Sequence, residues 1–187
     1  VHAGQAHIVE SRCISCGFCV VACTQGAKRV RSSVDEAEAL LRTGDAVAML
    51  APSFPAAFLG AAPGQVVSAL HEVGFRGVYE VAFGADLVSL EYRRLFDALD
   101  RGDPQQYLIA SACPAVVSYV EKRFPSLLPH LAPVMSPMEA MAAVIPRPVD
   151  RNAKIVFVGP CVAKKEAMGR LGLVDAVPTY PALSALW

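Results

Sequence analysis

K-I-V-F-V-G-P-C-V-A-K-K-E, residues 154–166, changes character halfway along. After its opening lysine it is a continuous apolar run up to Gly159, the composition of a strand buried on both faces. A helical pattern follows from about residue 162, and Cys161 falls at the junction. In open α/β sheets, ligands collect outside the carboxyl ends of the strands. A helix N-terminus also carries positive potential, which stabilises a thiolate or another anion. Lys164 and Lys165 lie on that first turn, where lysine opposes the helix dipole. They are either simply solvated or face an anionic partner.

The same alternation extends outward. A-V-A-M-L-A (46–51) leads to a helix through about residue 73, and G-V-Y-E-V-A-F (77–83) to one ending near 100. Y-L-I-A-S-A (107–112) leads to a helix ending near 124. Four such strands alternating with helices predict an α/β domain with a parallel sheet covered on both faces. S-A-C-P repeats the strand-to-helix junction at Cys113, with Pro114 at the first helical position. A-P-S-F-P and F-G-A-D follow the first two strands at the same rim, and S-P-M-E (136–139) combines a capping box with a leading proline. Taken alone, Cys113 or Cys161 is more simply a small core residue. Two at matching positions favour a metal site.

Upstream, C-I-S-C-G-F-C-V-V-A-C (13–23) packs four cysteines into eleven positions. The spacing C-x2-C-x2-C-x3-C is that of a bacterial ferredoxin run for a [4Fe–4S] cluster. Cysteines this close seldom meet disulfide geometry without strain. Structural zinc sites usually split their ligands into two separated pairs, so zinc ranks below the cluster and free thiols rank last. In two-cluster ferredoxins the fourth cysteine ligates the other cube. Cys13, Cys16 and Cys19 are therefore expected to hold one cube and Cys23 to reach for a second, whose partner run would precede Val1. Thr24 stands where such runs carry proline.

S-S-V-D-E-A-E-A-L-L-R-T-G (32–44) reads as a short helix, with Ser33 and Glu36 at capping-box spacing and Gly44 as terminator. The expected organisation is a ferredoxin-type module over 1–32, half of a two-cluster unit, a connecting helix over 33–45, and an incomplete α/β domain over 46–187. Lys+Arg and Asp+Glu both number 17, so no global field recruits nucleic acid or an anionic membrane. No apolar run approaches the roughly 18 residues of a spanning helix. The start shows neither an initiator Met nor a signal-peptide pattern, and the chain reads as a fragment. Exposed clusters are oxygen-sensitive, which points to a reducing cytoplasm. His71 and His130 lack ligand spacing and are expected to be structural, as are the core positions Val66, Leu70 and Val73.

Behind the ferredoxin run come, in order, L-A-P-S-F-P, F-G-A-D-L, S-A-C-P, L-A-P-V-M-S-P-M and G-P-C-V-A-K-K-E. Together they resemble the [FeFe]-hydrogenase family, from about His7 to about Gly169. The resemblance implies a module that passes electrons to an H-cluster, a [4Fe–4S] cube bridged to a two-iron subsite carrying CO and cyanide. It implies Cys113 and Cys161 as two of the four thiolate ligands and Lys164 as the contact to an iron-bound cyanide. It further implies Pro52, Ser53, Ser136, Pro137 and Met138 as the lining of the subsite, with the other thiolates in a later motif that this chain does not reach. The implied partners are a redox protein or ferredoxin donor, molecular hydrogen and protons, and C-terminal sensory domains in the parent chain.

The departures from the family pattern concern protons. Efficient members place a proton-donating cysteine directly before the C-P ligand; here that position is Ala112. Tyr92 and Leu95 stand where carboxylates are expected and Ala132 where a serine is, leaving Glu91 as a carboxylate. General acid–base work needs a group of suitable pKa within reach, so the pattern resembles sensory or divergent branches with slow turnover. Two other classes compete: a ferredoxin-like electron-transfer or cluster-assembly protein without the two-iron subsite, and a zinc-stabilised structural domain. Lys164 and the intact P-C-x-A-K-K favour the first reading.

Overall fold

The computed structural model describes residues 6–99, 106–145 and 153–183. A short α1 (Phe18–Val21) lies within the cysteine run and carries Cys19, and α2 (Val34–Leu41) links this segment to a three-stranded parallel sheet. The strands are β1 (Ala46–Leu50), β2 (Gly77–Glu80) and β3 (Lys154–Val158), in the order β2-β1-β3. All five residues of the central strand are buried, as its unbroken apolar composition requires. Between β1 and β2 run α3 (Phe54–Ala57) and α4 (Pro63–Val73). Between β2 and β3 run α5 (Val81–Asp97), α6 (Pro114–Arg123) and α7 (Pro137–Val144). After β3 come α8 (Ala163–Leu171) and α9 (Tyr180–Leu183).

Met49, Leu50, Leu70, Met138, Ile155 and Phe157 are fully buried at the centre, each contributing on the order of 1.5–3 kcal/mol relative to exposure. The connecting helix belongs to this core, because Ala37 is fully buried and Leu40 and Leu41 pack against it.

Four local readings need correction. Y-L-I-A-S-A is not a sheet strand: Ile109 makes one isolated parallel bridge to Leu131, and the segment is only partly buried. The chain beside β3 is instead residues 174–177, where Ala176 bridges Val156 and the Asp175 amide donates to the Ile155 carbonyl at 2.8 Å. An apolar run of four to eight residues does not say which partner it pairs with. F-G-A-D is not a strand-end loop, since α5 starts at Val81 with no gap after β2. The long helix expected after β1 is divided into α3 and α4.

The expected capping box at α2 is also absent. Ser32 Oγ, not Ser33, accepts the Val34 amide at 3.2 Å, and Glu36 pairs with Arg31 at 3.1 Å. The box at the start of α7 does form: Ser136 Oγ accepts the Glu139 amide at 3.4 Å, and Glu139 Oε2 accepts the Ser136 amide at 2.9 Å.

Gly84 explains why F-G-A-D has small residues. A Cβ there would lie 2.3 Å from the Pro137 carbonyl oxygen and 2.9 Å from Met141 Cβ. The glycine lets α5 cross α7 at backbone contact. Gly84→Ala gains about 1 kcal/mol of helix propensity but meets backbone atoms that cannot move cheaply, and overpacking of this kind costs typically 1–3 kcal/mol. We expect the clash to win and the urea midpoint to fall; a midpoint equal to or above wild type would contradict the packing assignment.

Candidate functional site

The cysteine loop forms the first site. Ser15 has φ +55° and Gly17 φ +79°, so the chain turns twice through the left-handed region between the thiols. The Ser15 amide donates to Cys13 Sγ at 3.3 Å. Cys13, Cys16 and Cys19, with Ile8, Ile14 and Phe18, line one open concavity of about 430 Å³. Cys23 does not line it. Hydrogen bonding from the Ala27 backbone, with smaller help from Gln25, Lys28 and the Lys28 charge, holds the Cys23 thiol below its ordinary pKa. Among the described residues no three His, Cys, Asp or Glu side chains converge as around a single ion. A loop of left-handed turns whose amide donates to sulfur, with three thiols on one hollow, fits a thiolate-held cluster.

The second site gathers at the ends of β1 and β3. Their parallel register pairs Leu50 with Val158, and the Ala51 amide continues the ladder to the Val158 carbonyl at 2.9 Å. The A-P-S and G-P-C turns therefore leave the sheet side by side. Gly159 is required at this point, because a Cβ there would meet Ala51 Cβ at 2.8 Å.

Cys113 is the N-cap of α6 and exposed, with Pro114 at N1. Cys161 is half-buried, two residues before α8 begins. Both stand at helix starts as expected, but only Cys161 follows a strand of the sheet. Lys164 brings them together. Burial lowers its pKa, while Cys161, Glu139 and Cys113 act in the opposite direction. Its Nζ also lies 5.5 Å from the Phe157 ring centroid, a cation–π distance.

The remaining expected residues divide. Pro52 and Ser53 are exposed in the turn after β1, whereas Ser136 is 4% exposed and Met138 fully buried in the core. Pro137 is half-buried at N1 of α7. His71 is structural, with Nδ1 2.8 Å from the Phe75 carbonyl, and His130 stacks on Tyr107.

The partners of three groups were not legible in the sequence. Tyr180 pairs its hydroxyl with Ser53 Oγ at 2.9 Å and donates to the Ala51 carbonyl at 3.3 Å, a contact 127 positions apart with no local signal. Lys165 is not solvated, as it donates to Ser33 Oγ and to the Val177 carbonyl at 2.7 Å. Tyr92 holds the approach to Cys113. Its hydroxyl accepts the Ser111 amide at 2.8 Å and lies 3.1 Å from Ser111 Oγ, which itself donates to the Val134 carbonyl at 2.9 Å. With that proton committed to Val134, Tyr92 must donate to Ser111, and the hydroxyl chain ends on a peptide oxygen.

The family defined by the C-terminal domain of the iron-only hydrogenase large subunit matches residues 45–186, and a 4Fe-4S binding domain matches residues 6–29. The chain belongs to the iron-only hydrogenase family, as an iron–sulfur protein with an α/β fold. The NADP-reducing hydrogenase subunit HndD of Solidesulfovibrio fructosivorans is 31% identical over 90% of this chain and 33% of its own length. Iron hydrogenase 1 of Clostridium pasteurianum is 31% identical over 66% of the chain and 24% of its own. The cytosolic Fe-S cluster assembly factor NAR1 of Botryotinia fuckeliana is 38% identical over 37% of the chain and 14% of its own.

An [FeFe]-hydrogenase structure, studied for oxygen inactivation through degradation of the H cluster 2Fe subcluster, superposes with TM-score 0.66. Its identity is 25%, over 83% of this chain and 47% of that one. The chain thus spans a third or less of these curated relatives. Among the described residues no helix is long and apolar enough to cross a membrane.

Burial pushes the Tyr180 phenol up, with the Ser53 hydrogen bond pulling the other way. Because the folded pKa is raised, the stability held by the neutral phenol is complete below the unfolded value near 10 and lost as pH rises through the folded value. Tyr180→Phe should cost about 1 kcal/mol at pH 7 through its lost hydrogen bonds. That deficit should shrink at pH above about 10 in urea titrations, where wild type alone bears the ionisation. A deficit constant from pH 7 to 11 would contradict the buried-phenol assignment.

Proposed function

We propose that the chain forms the electron-relay module and half of the H-cluster site of an [FeFe]-type hydrogen oxidoreductase, acting slowly or as a hydrogen sensor. One observation carries this reading: the half-buried Lys164 cation lies over the Phe157 ring at the start of α8, with Cys161, Glu139 and Cys113 as its charge partners. Burying a cation is costly unless anions accompany it; Glu139 supplies one, and a thiolate-held cluster would supply another. Cys113 and Cys161 would give two of its four thiolates, with two more from outside these 187 residues. When bound, the H-cluster supplies the redox iron at which protons, electrons and hydrogen interconvert.

The chain's own residues then have distinct tasks. Cys13, Cys16 and Cys19 hold the relay cube, Cys23 serves a neighbouring one, and a redox protein or ferredoxin supplies electrons. Lys164 faces the anionic cluster. Pro52, Ser53, which Tyr180 steadies, and Pro137 would face the two-iron subsite, with the buried Ser136 and Met138 supporting them from the core. A division near residue 32 would separate the relay module from the cluster domain, because the helix expected over 33–45 packs into the α/β core, and a cytoplasmic location suits oxygen-labile centres.

Slow turnover follows from proton supply. Ala112 carries no transferable proton, and the Tyr92–Ser111 pair ends on the Val134 carbonyl. The cavity of about 340 Å³ beside Glu91 is walled by Leu87, Val88, Leu95, Pro133 and Met135, and the Glu91 carboxylate is paired with Arg94. Ala112→Cys is expected to raise hydrogen turnover by an order of magnitude or more, since general acid catalysis contributes about 10²–10⁴-fold. No change would place the block elsewhere.

The likeness to the NAR1 assembly factor supports a second reading, in which the cluster site lacks the two-iron subsite. Infrared spectroscopy of the anaerobically matured protein separates the two. The hydrogenase reading predicts bands from iron-bound CO and cyanide. Their absence, with iron and sulfide present, would favour the assembly reading.

A further inference from the structure

The two helices that follow Cys113 and Cys161 each direct a lysine to the segments that precede β1. On α8, Lys165 reaches Ser33, the residue that opens α2. On α6, Lys122 Nζ donates to the Glu10 carbonyl at 3.1 Å and to the carbonyl of Cys13. The loop is also in van der Waals contact with the second site, because a Cβ at Gly17 would lie 3.3 Å from Val162 Cγ2, one residue after Cys161.

Lys122 is therefore a cation bonded to the backbone of the first cysteine of the ferredoxin run. It does not act alone: Arg12 and Arg123 join the wall of the hollow that Cys13, Cys16 and Cys19 line. Of the nearby carboxylates, Glu121 is held bidentately by Arg170 at 3.0 and 3.2 Å, Glu166 lines the same hollow as Lys122, and Glu10 lies just before the cysteine loop.

We propose that Lys122 is a positioning residue for the amino-terminal cluster, clamping the Cys13 loop onto α6 and raising the cluster's reduction potential. The proposal rests on the assignment of Cys13, Cys16 and Cys19 as cluster ligands. A [4Fe–4S] cube gains one negative charge when it accepts one electron from an external reductant. A fixed cation nearby stabilises that reduced state, and net charge and hydrogen bonding are among the factors that set such potentials. Charge-assisted hydrogen bonds to two carbonyls also fix where the charge sits. Lys122 is exposed, so solvent screens the effect and the shift is modest.

The test is a redox titration of the anaerobically reconstituted protein, followed by electron paramagnetic resonance of the amino-terminal cluster. Wild type is compared with Lys122→Gln, which keeps the N–H donors without the charge, and with Lys122→Arg. At a fixed poise, Lys122→Gln should lower the reduced-to-oxidised ratio by about three- to tenfold, where tenfold is 59 mV for a one-electron couple. Lys122→Arg should stay near wild type, with iron and sulfide content equal in all three. Equal midpoints in wild type and Lys122→Gln would overturn the proposal, as would a Lys122→Arg midpoint shifted as far as that of Lys122→Gln. Wild-type protein that takes up zinc and no cube would instead overturn the ligand assignment, a result distinct from an unshifted midpoint.

Discussion

Parallel pairing of β1 with β3 is the constraint on which the second site depends. Their register delivers the Ala51-Pro52-Ser53 and Gly159-Pro160-Cys161 turns to the same edge, where parallel strands leave room for a ligand. Contact between Ala51 and Gly159 leaves no space for a side chain, so the two turns are locked against each other. Tyr180 closes this arrangement from the far end of the chain through Ser53 and the Ala51 carbonyl. The half-buried Lys164 then stands at the start of α8, with Cys161, Glu139 and Cys113 as charge partners. The strands supply rigidity, and the helix starts supply the electrostatics.

The amino-terminal module is fastened to this frame rather than tethered to it. Lys122 and Lys165 donate to groups before and after the cysteine loop, and Gly17 packs on Val162. On the proposed reading, the segments that would hold the two centres are in direct contact, which suits electron exchange. The proton side is built differently, with a hydroxyl pair that ends on a carbonyl and an apolar cavity beside a neutralised glutamate.

Much of this was legible from residue order. Continuous apolar runs announced β1 and β3, Pro114 and S-P-M-E announced the starts of α6 and α7, and the cysteine spacing announced the cluster loop. What failed was partner choice. Y-L-I-A-S-A has strand composition but pairs with Leu131, while residues 174–177, with no comparable apolar run, flank β3. F-G-A-D looked like a loop because its small residues serve a helix crossing, which depends on α7 some fifty positions away. Ser33 had the right spacing for a cap, yet its hydroxyl went to Lys165. Tyr180 was invisible for the same reason: its role lies in a contact across the whole domain.

The central claim is that six cysteines serve two separate inorganic centres. Electron paramagnetic resonance of the anaerobically matured protein, comparing Cys16→Ser with Cys161→Ser, tests it most directly. Cys16→Ser should lose the amino-terminal cluster signal and keep that of the second centre, and Cys161→Ser should do the reverse. Loss of both signals together in either variant, or zinc in place of iron in the wild type, would contradict the account.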